Sequence, residues 1–406
     1  MAQLPEREFL SCGWVGDSPS VPIVLLKERF IDGLQGWAAI WGQMPLIAKR
    51  PMSLESEYLW YIPNVVEPGH RGDSAVEGHN SLETLTSHAK ALEEHGWKGA
   101  LIGTGWGRPD TFTLAAALAA RTTSFEPLIA IRPGYWRPAN FASAAATLDY
   151  LTGGRVRINI VSGKDNLAAY GDSEGDQAHR YGRTKEFMRL IRRLWTEENV
   201  DFVGEHFRVD GSTVVPRIEA RGERRHPRLY FGGASEAAER VAATEADVQL
   251  FWGEPLEDVR QRIERLKALS RDLDRDLPPL EFGLRITTFV RDTTAQAWAD
   301  AQAKVAEMAQ GKGGWNDHRR GVAVGQQRLF DLQARGEVLD DNLYTTPGKV
   351  GGGGAGTTWL VGSAEDVARS LRKYRDLGIR HFVLSDTPYL SEIRRQGDNL
   401  LPLLRN

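Results

Sequence analysis

Residues 152–163, Thr-Gly-Gly-Arg-Val-Arg-Ile-Asn-Ile-Val-Ser-Gly, contain the pattern that decides the fold. The glycine pair at 153–154 is typical of the end of a helix. The apolar residues at 156–161 then indicate a buried β-strand, and Ser162 and Gly163 place a hydroxyl and a permissive backbone directly after it. In α/β proteins, ligands bind at the carboxyl ends of the strands. The stretch therefore predicts a strand whose far end contributes to a binding site.

The rest of the chain repeats this alternation of apolar strand and amphipathic helix. Because parallel strands need a crossover helix, eight such units predict an α/β fold of the (β/α)8 type, a TIM barrel. Periodicity alone also allows a doubly wound open sheet. The predicted strands are 58–63, 99–103, 128–132, 156–161, 228–231, 248–252, 282–290 and 381–385.

Three segments interrupt the alternation. Residues 1–55 precede the first strand and are expected to form an extension packed on the barrel, while 56–406 form a single barrel domain. Residues 200–216 alternate on both sides of Gly204, which predicts a small β-hairpin. The insertion at about 295–358 is glycine-rich and predicts a mobile lid, with a surface excursion of no function as the alternative.

Composition limits the possible partners. A net charge of −3 over 406 residues argues against a nucleic-acid partner. Cys12 is the one cysteine, so we expect no disulfide and no cysteine-based metal site. The sequence has no apolar run of the roughly 20 residues needed to cross a membrane, and no secretory signal at its start. We therefore expect a cytoplasmic protein without a membrane segment or a metal.

Two motifs suggest chemistry, and a third does not. Residues 231–235, Phe-Gly-Gly-Ala-Ser, end a strand and enter a helix, so their backbone amides and the Ser235 hydroxyl suit the binding of a phosphate. The alternative is that Ser235 only caps the helix. Arg285 lies inside an apolar strand, where it must form a salt bridge or face the site. The run at 103–107 lacks the dinucleotide-binding spacing.

A set of short stretches, taken together, resembles the bacterial luciferase-like flavin monooxygenases. Within that family the branch containing alkanesulfonate monooxygenase and dimethyl sulfone monooxygenase is the most similar, over roughly residues 56–403. The stretches are 60–64, 131–134, 152–163, 180–181, 229–235, 250–255, 283–285, 325–328, 353–357 and 382–385.

The resemblance implies a TIM barrel that takes reduced FMN (FMNH2) as a co-substrate and uses O2 to oxygenate a small molecule. It implies a separate NAD(P)H-dependent flavin reductase as partner, and a homodimer or homotetramer. Thr104 would lie near the flavin ring. The residues that the family pattern assigns to the cofactor are Thr104, Asn159, Ser162, Tyr181, Gly233, Ala234 and Ser235.

The catalytic positions depart from the family pattern. Arg285 matches an active-site arginine, but Thr287 replaces a histidine of alkanesulfonate monooxygenase, Arg108 a cysteine and Thr387 a tyrosine. A glycine near 352 replaces an arginine of the lid. The further residues that we expect in an altered substrate pocket are Arg137, Trp252, Lys349 and Tyr389.

The leading hypothesis is a two-component monooxygenase of a small organosulfur compound. The substrate it favours is a sulfonate, whose C–S bond is cleaved to give sulfite and an aldehyde. The altered pocket leaves a sulfone, or a non-sulfur heterocycle or amine, as alternative substrates. A flavin-binding barrel that has lost turnover is the non-enzymatic alternative.

Overall fold

The computed structural model describes residues 55–62, 78, 80–106, 108–162, 167–172, 176–222, 224–310, 324–350 and 357–405. These residues fall in one compact unit, Leu54–Asn406. The predicted extension lies outside the described residues except for Glu55, and so do Gly163 and the glycine runs at 311–314 and 351–354.

The predicted barrel is confirmed. Its eight parallel strands form a closed ring, because the first strand pairs with the last and the longest strand, 281–290, pairs with a neighbour on each side. The open-sheet alternative is therefore wrong. Each predicted strand agrees with its observed counterpart to within two residues at either end. In chain order the barrel strands are β1 Glu57–Ile62, β2 Gly99–Ile102, β3 Glu126–Ile131, β4 Arg157–Ile160, β7 Arg228–Gly232, β8 Val248–Trp252, β9 Glu281–Val290 and β13 Ile379–Ser385.

Helices return the chain between strands, and side-chain caps set where several of them begin. Ser81, Asp110, Asp176, Ser235 and Ser363 each accept a hydrogen bond from the backbone N–H three residues on. The helices are α1 Leu82–Glu94, α2 Thr111–Ala119, α3 Pro138–Leu151, α4 Gln177–Thr196, α5 Glu236–Glu245, α6 Leu256–Asp272, α7 Thr294–Gln310, α8 Val324–Arg335, α9 Thr346–Val350, α10 Ala364–Asp376, α11 Tyr389–Asn399 and α12 Leu401–Arg405.

Two insertions decorate the barrel. The predicted hairpin is confirmed as antiparallel strands β5 Val200–Val203 and β6 Arg208–Ser212. The second insertion contains α7, α8, α9 and the short strands β10 Val338–Leu339 and β11 Leu343–Tyr344. It ends in β12 Trp359–Gly362, which pairs with 287–290 of β9, directly beyond the segment 281–285 that pairs with β8. The long strand β9 therefore supports both the barrel and the insertion.

Apolar residues fill both sides of the barrel wall. On the outer face, residues such as Trp60, Ile158 and Phe231 are fully buried against the helices. On the inner face a smaller cluster includes Leu59, Leu101, Leu128, Tyr230, Leu250 and Val383. Burial of each such side chain contributes about 1.5–3 kcal/mol. Because apolar side chains already fill the lower interior, a ligand has room only at the carboxyl-terminal end.

Charged residues close the amino-terminal end of the barrel. Five of the eight barrel strands begin with a charged residue, namely Glu57, Glu126, Arg157, Arg228 and Glu281. The Arg157 guanidinium donates to Glu57 Oε2 and Glu126 Oε2, each at 2.6 Å, and to the Tyr230 hydroxyl at 2.7 Å.

The network continues through His381, which lies 2.9 Å from Glu57 Oε2 and 2.5 Å from Glu281 Oε2. Burial raises the pKa of Glu57, but its hydrogen bonds and charge contacts with Arg157 and His381 outweigh burial and hold that pKa well below its ordinary value. These contacts therefore stabilise the ionised carboxylate and tie the first strand to the fourth and the last.

We expect Arg157→Met to lower the free energy of unfolding by about 3–5 kcal/mol, because it leaves Glu57 and Glu126 buried without their cation. Urea unfolding at pH 7 measures this loss. Arg228→Met is the matched control: Arg228 is 35% exposed and lies 3.3 Å from Glu281, so we expect a loss below about 1 kcal/mol. Equal losses in the two variants would contradict the role of Arg157.

Acid should weaken the wild-type protein through the same network. A carboxylate whose pKa is lowered in the folded state contributes stability above its unfolded pKa, near 4.5 for Glu57, and that stability is lost as the pH falls. The wild-type free energy of unfolding should therefore decline below about pH 4.5. In Arg157→Met the decline should be shallower, since Glu57 is no longer held ionised by that arginine; an unchanged slope would contradict this.

Candidate active site

A buried arginine projects into the barrel near its carboxyl-terminal end. Arg285 lies between Leu284 and Ile286, which face the surrounding helices, so strand alternation turns Arg285 to the interior. Its guanidinium carbon lies 4.2 Å from the centre of the Tyr61 ring, and 8% of the residue is exposed. The contact fixes a positive charge in a largely dry interior, where it attracts an anion more strongly than in water.

Hydroxyl groups surround the next inward position on β9. Thr287 Oγ1 lies 3.1 Å from Thr357 Oγ1 and 3.4 Å from Ser385 Oγ. Thr357 donates to the Thr358 carbonyl oxygen at 3.0 Å, so the Thr287 hydroxyl donates to Thr357. Three hydroxyls on β9, β13 and the segment before β12 therefore line the interior beside Arg285.

The loop after β2 lies against Tyr61. A Cβ atom at Gly103 would lie 2.8 Å from the Tyr61 hydroxyl oxygen, so only glycine permits this approach. Thr104 follows directly and is half-buried, and the Arg108 amide donates to the Gly105 carbonyl at 3.3 Å. The loop whose first residue, Gly103, lies against Tyr61 thus also contains two predicted residues, Thr104 and Arg108.

The predicted residue Thr387 is held by a lysine of the insertion. Lys304, on α7, donates to the Thr387 carbonyl oxygen at 2.8 Å and also to the Thr387 hydroxyl. Thr387 is 1% exposed, and its amide donates to Asp386 Oδ1 at 2.7 Å. No sequence pattern predicts this role for Lys304, which lies 83 residues from its partner.

A pair of buried carboxylates lies behind Thr387. Asp386 and Glu392 are each 2% exposed, and Arg291 Nη1 lies 3.4 Å from Asp386 Oδ2 and 3.6 Å from Glu392 Oε2. Burial, followed by repulsion from Asp386, raises the pKa of Glu392 to about 7, although Arg291 and Arg395 lower it. Arg291 is therefore shared by the two carboxylates, and Glu392 carries a proton up to about neutral pH.

On the opposite side of the barrel, Asn159 carries a polar atom that suits a ligand. Asn159 lies between Ile158 and Ile160, which face the helices, so its side chain faces the interior. Among the described residues, its buried Oδ1 atom has no hydrogen-bond partner. A buried acceptor without a donor is costly, so the position indicates a bound donor group.

Ser162, the second predicted residue of this strand end, is already engaged. Its hydroxyl oxygen lies 2.6 Å from Thr184 Oγ1, and Thr184 donates to the Arg180 carbonyl at 2.8 Å. The Ser162 hydroxyl therefore donates to Thr184, which leaves its lone pairs for a ligand donor. In this arrangement Ser162 accepts from a ligand hydroxyl more readily than it donates to a phosphate.

A cationic cleft adjoins Ser162. Three of its lining residues are arginines and none is acidic, within the part of the chain that the structure describes. Asp172 neutralises one of them, Arg183, through two 2.7 Å hydrogen bonds. The other two arginines of the cleft are Arg132 and Arg180. The lining residues are Arg132, Pro133, Val161, Ser162, Leu167, Arg180, Arg183 and Thr184.

The loop after β7 forms a second candidate anion position. Ser235 accepts from the Ala238 amide at 3.2 Å, so the N-cap alternative is confirmed. A Cβ atom at Gly233 would lie 2.5 Å from the Ala238 Cβ, so the loop can pack on the first turn of α5 only with glycine there. Ala234 is half-buried, and the Tyr181 ring centre lies 6.4 Å from that of Phe231. The structure therefore brings Tyr181 beside this loop.

A buried arginine anchors that loop from behind. Arg262 Nη2 donates to the Gly233 carbonyl at 2.9 Å, and Gln249 Nε2 donates to the same oxygen at 3.1 Å. Arg262 also bonds Glu254 at 2.6 Å and Glu239 at 3.2 Å. The carbonyl is thereby turned away from the site, which leaves the loop amides on the other side for a ligand.

The insertion lies over part of the carboxyl-terminal end. A Cβ atom at Gly325, on α8, would lie 3.8 Å from the Trp252 ring, and Trp252 pairs in register with Arg285. Arg328 Nη1 lies 3.3 Å from Glu254 Oε2. These contacts place α8 above β8, where the insertion was expected, while the mobility of a lid stays a prediction.

The other residues predicted to bind the substrate differ in burial. Tyr389 is 7% exposed and packs with the inner apolar cluster. Arg137 is exposed at the N-cap of α3. Lys349 lies in α9, and its side chain is outside the described part of the structure. The structure thus brings Tyr389 and Trp252 to the interior and leaves Arg137 on the rim.

The described residues contain neither a metal-binding cluster nor a membrane-spanning helix. No group of three or more histidine, cysteine, aspartate or glutamate side chains is arranged to hold a metal ion there. None of the described helices is both long and apolar enough to cross a membrane.

Comparison with known proteins gives a family and a fold. Residues 57–381 match the family model described as Luciferase-like monooxygenase. EDTA monooxygenase (EmoA) from Chelativorans sp. BNC1 superposes with a TM-score of 0.70 at 16% identity, over 86% of this chain and 93% of that chain. DmoA from Hyphomicrobium sulfonivorans gives 0.68 at 19%, over 86% and 88%. Riboflavin lyase (RcaE) with modified FMN and riboflavin gives 0.67 at 18%, over 86% and 91%.

We expect Glu392→Gln to raise the free energy of unfolding at pH 8 by roughly 1–3 kcal/mol, because the wild-type protein must bury a second negative charge beside Asp386 there. A carboxyl whose pKa is raised to about 7 in the folded state contributes stability that is full below its ordinary value of 4.5 and is lost as the pH rises through 7. Urea unfolding at pH 5, 6, 7 and 8 measures this.

The variant should therefore show a flatter profile than the wild type between about pH 5 and 7. Glu365→Gln, which changes an exposed glutamate in the first turn of α10, is the matched control and should keep the wild-type profile. Parallel profiles for wild type and Glu392→Gln would contradict the assignment of the proton to Glu392.

Proposed function

Because the chain belongs to the luciferase-like monooxygenase family, whose model matches residues 57–381, we propose that it is a two-component, FMNH2-dependent monooxygenase of a small organosulfur anion. Membership of this family shows that the chain is an enzyme that performs flavin-dependent monooxygenation. The reduced cofactor, the separate reductase and the substrate are our proposal. A sulfonate is the substrate that we favour, with release of sulfite and an aldehyde.

The observation that carries the proposal is a site with two chemically different sides. On β4 and β7 lie an orphaned Asn159 acceptor, the cationic cleft beside Ser162 and the glycine loop at Gly233. On β9 lies the buried cation Arg285, with the Thr287 hydroxyl next to it. The first side suits a large ligand with a phosphate, and the second suits a small anion.

The residues on the first side fit FMN. Arg132 and Arg180 supply positive charge for the phosphate, and the amides after Gly233 supply hydrogen-bond donors. Asn159 Oδ1 can accept from a flavin N–H or a ribityl hydroxyl, which would satisfy its missing hydrogen bond. When bound in reduced form, FMN supplies the two electrons with which O2 is activated.

The residues on the second side bind and orient the substrate. Arg285 neutralises an anionic sulfonate in an interior where water screens charges poorly. Thr287 and Ser385 present hydroxyls that can hydrogen-bond its oxygens. The α8 helix above Trp252 helps to exclude water from the space between the two ligands.

The proposal includes a partner and an assembly. The resemblance to two-component flavin monooxygenases implies a separate NAD(P)H-dependent flavin reductase, and we propose that such a partner supplies the reduced cofactor. We also propose a cytoplasmic homodimer or homotetramer. A sulfone or a non-sulfur heterocycle or amine is the alternative substrate, since hydroxyls at Thr287 and Thr387 replace the larger groups of the resembling enzymes.

The function is tested by supplying the protein with FMN, NADH, a flavin reductase and O2 and by screening sulfonates, sulfones and heterocycles. We expect sulfite and an aldehyde in equal amounts from a sulfonate, and no product when the reductase is omitted. If only sulfones or only heterocycles give an oxygenated product, sulfonates are rejected and that compound class becomes the proposed substrate. Tight FMN binding without any product would identify a non-catalytic flavin-binding barrel.

Arg285→Met should lower kcat/KM for the sulfonate by about 100-fold or more, because it removes the cation that holds the anionic group in the dry interior. The FMN dissociation constant, measured by fluorescence titration, should change by less than about threefold, since Arg285 lies on the opposite side from Asn159. Arg121→Met, which removes an exposed arginine after α2, is the matched control. Unchanged kinetics in Arg285→Met would remove this residue from the site.

A further inference from the structure

Three aromatic side chains from successive loops meet at the carboxyl-terminal rim. Trp106 follows β2, Tyr135 follows β3 and Tyr170 follows β4, so all three lie at the end of the barrel that holds the candidate active site. Tyr135 stacks on Tyr170 with ring centres 3.6 Å apart and planes 18° apart. Trp106 meets Tyr170 edge to face, at 4.8 Å and 72°. We call these three residues the aromatic wall.

The loops that carry the aromatic wall are fixed by a buried ion pair. Gly134 has a φ of +109°, and a Cβ atom there would lie 2.7 Å from Asp172 Oδ2 and 2.8 Å from the Arg183 guanidinium. The loop after β3 can therefore rest on the Asp172 and Arg183 pair only through glycine. Asp172 follows Tyr170 by two residues, and its amide donates to the Leu167 carbonyl at 3.0 Å. One ion pair thus sets the positions of both Tyr135 and Tyr170.

Within the aromatic wall, Trp106 is the member that meets solvent. It is 53% exposed, whereas Tyr135 and Tyr170 are half-buried and the Tyr135 hydroxyl is fully buried. A large indole held at the rim of a pocket by a rigid stack presents a flat apolar surface at a fixed position. Such a surface binds another flat ring, with a gain from ring geometry in addition to the area that is buried.

The loop that carries Trp106 begins beside the buried Arg285 and Tyr61 pair. Trp106 follows Gly103 by three residues, and the Gly103 position lies against the Tyr61 hydroxyl. Tyr61 in turn carries Arg285 above its ring. Three residues reach at most about 10 Å, so Trp106 lies within about that distance of the Gly103 position. Arg108, two residues further on, adds a second positive charge to the same loop.

We propose that Trp106, supported by Tyr170 and Tyr135, binds a flat ring of the substrate while Arg285 and Arg108 bind its anionic group. This inference rests on the proposed function and narrows its substrate to an arylalkane sulfonate, in which a ring is joined to the sulfonate through a saturated carbon. The reaction is then R–CH2–SO3⁻ + O2 + FMNH2 → R–CHO + HSO3⁻ + FMN + H2O. The C–S bond breaks, the carbon is oxidised to the aldehyde, and FMNH2 supplies two electrons.

The test compares two sulfonates that share the CH2–SO3⁻ group and differ in the group attached to it, which is a phenyl ring in one and a propyl chain in the other. Isothermal titration calorimetry measures the binding of phenylmethanesulfonate and butane-1-sulfonate to the full chain, with and without FMN. The wild-type protein should bind the aryl compound about tenfold more tightly, as expected for ring stacking together with ring burial. Trp106→Ala should lose this preference and bind butane-1-sulfonate within about twofold of wild type, whereas Trp106→Phe should keep part of it.

The matched control is Tyr150→Ala. Tyr150 is another exposed aromatic residue, at 61%, but it lies near the end of α3, on the amino-terminal side of the barrel. This variant should bind both sulfonates as the wild type does. Equal wild-type affinity for the two probes, equal weakening of both by Trp106→Ala, or no binding of either at millimolar concentration would each overturn the inference.

Turnover assays distinguish this inference from the proposed function, and light scattering tests whether Trp106 lies in a subunit contact. Sulfite from both sulfonates with equal kcat/KM would support the function and overturn the aromatic preference. Trp106-dependent binding of the aryl probe without any sulfite would support the preference and overturn the oxygenation. If Trp106→Ala changes the molecular mass in solution and leaves the preference intact, Trp106 belongs to a subunit contact, and the inference is wrong.

Discussion

The pairing of one long strand determines the rest of this structure. The first part of β9 bonds to β8 on one side and to β13 on the other, which closes the barrel. Its last four residues bond to β12, which attaches the insertion. The same strand turns Arg285 and Thr287 to the interior. Barrel closure, the attachment of the insertion and the placement of the buried cation therefore share one set of hydrogen bonds.

The charged residues at the two ends of the barrel interior have different surroundings. At the amino-terminal end, Arg157 is enclosed by Glu57, Glu126 and Tyr230 at hydrogen-bond distance, and this arrangement stabilises the wall. At the carboxyl-terminal end, Arg285 lies over an aromatic ring and three arginines line the cleft beside Ser162. The ion pairs at the amino-terminal end suit a structural role, whereas we propose that the arginines at the carboxyl-terminal end attract an anionic ligand.

Much of the site could be predicted because its residues follow strands directly. Asn159, Ser162 and Gly233 sit at or just after the ends of apolar runs, so their location follows from strand periodicity. Lys304 and the pair of Asp386 with Glu392 could not be predicted, because their partners are distant in sequence or depend on burial. The aromatic wall was missed for the same reason, since three separate loops contribute one ring each.

The sequence by itself determined the barrel, the hairpin, the position of the insertion and the type of chemistry, because these depend on periodicity and on short local motifs. Only the tertiary structure decided what each polar side chain contacts. It showed that Ser162 donates to Thr184, that Thr387 is held by Lys304 and that Gly233 is fixed by Arg262. Such contacts join residues that are distant in sequence and that the folded barrel brings together, so no local sequence pattern predicts them.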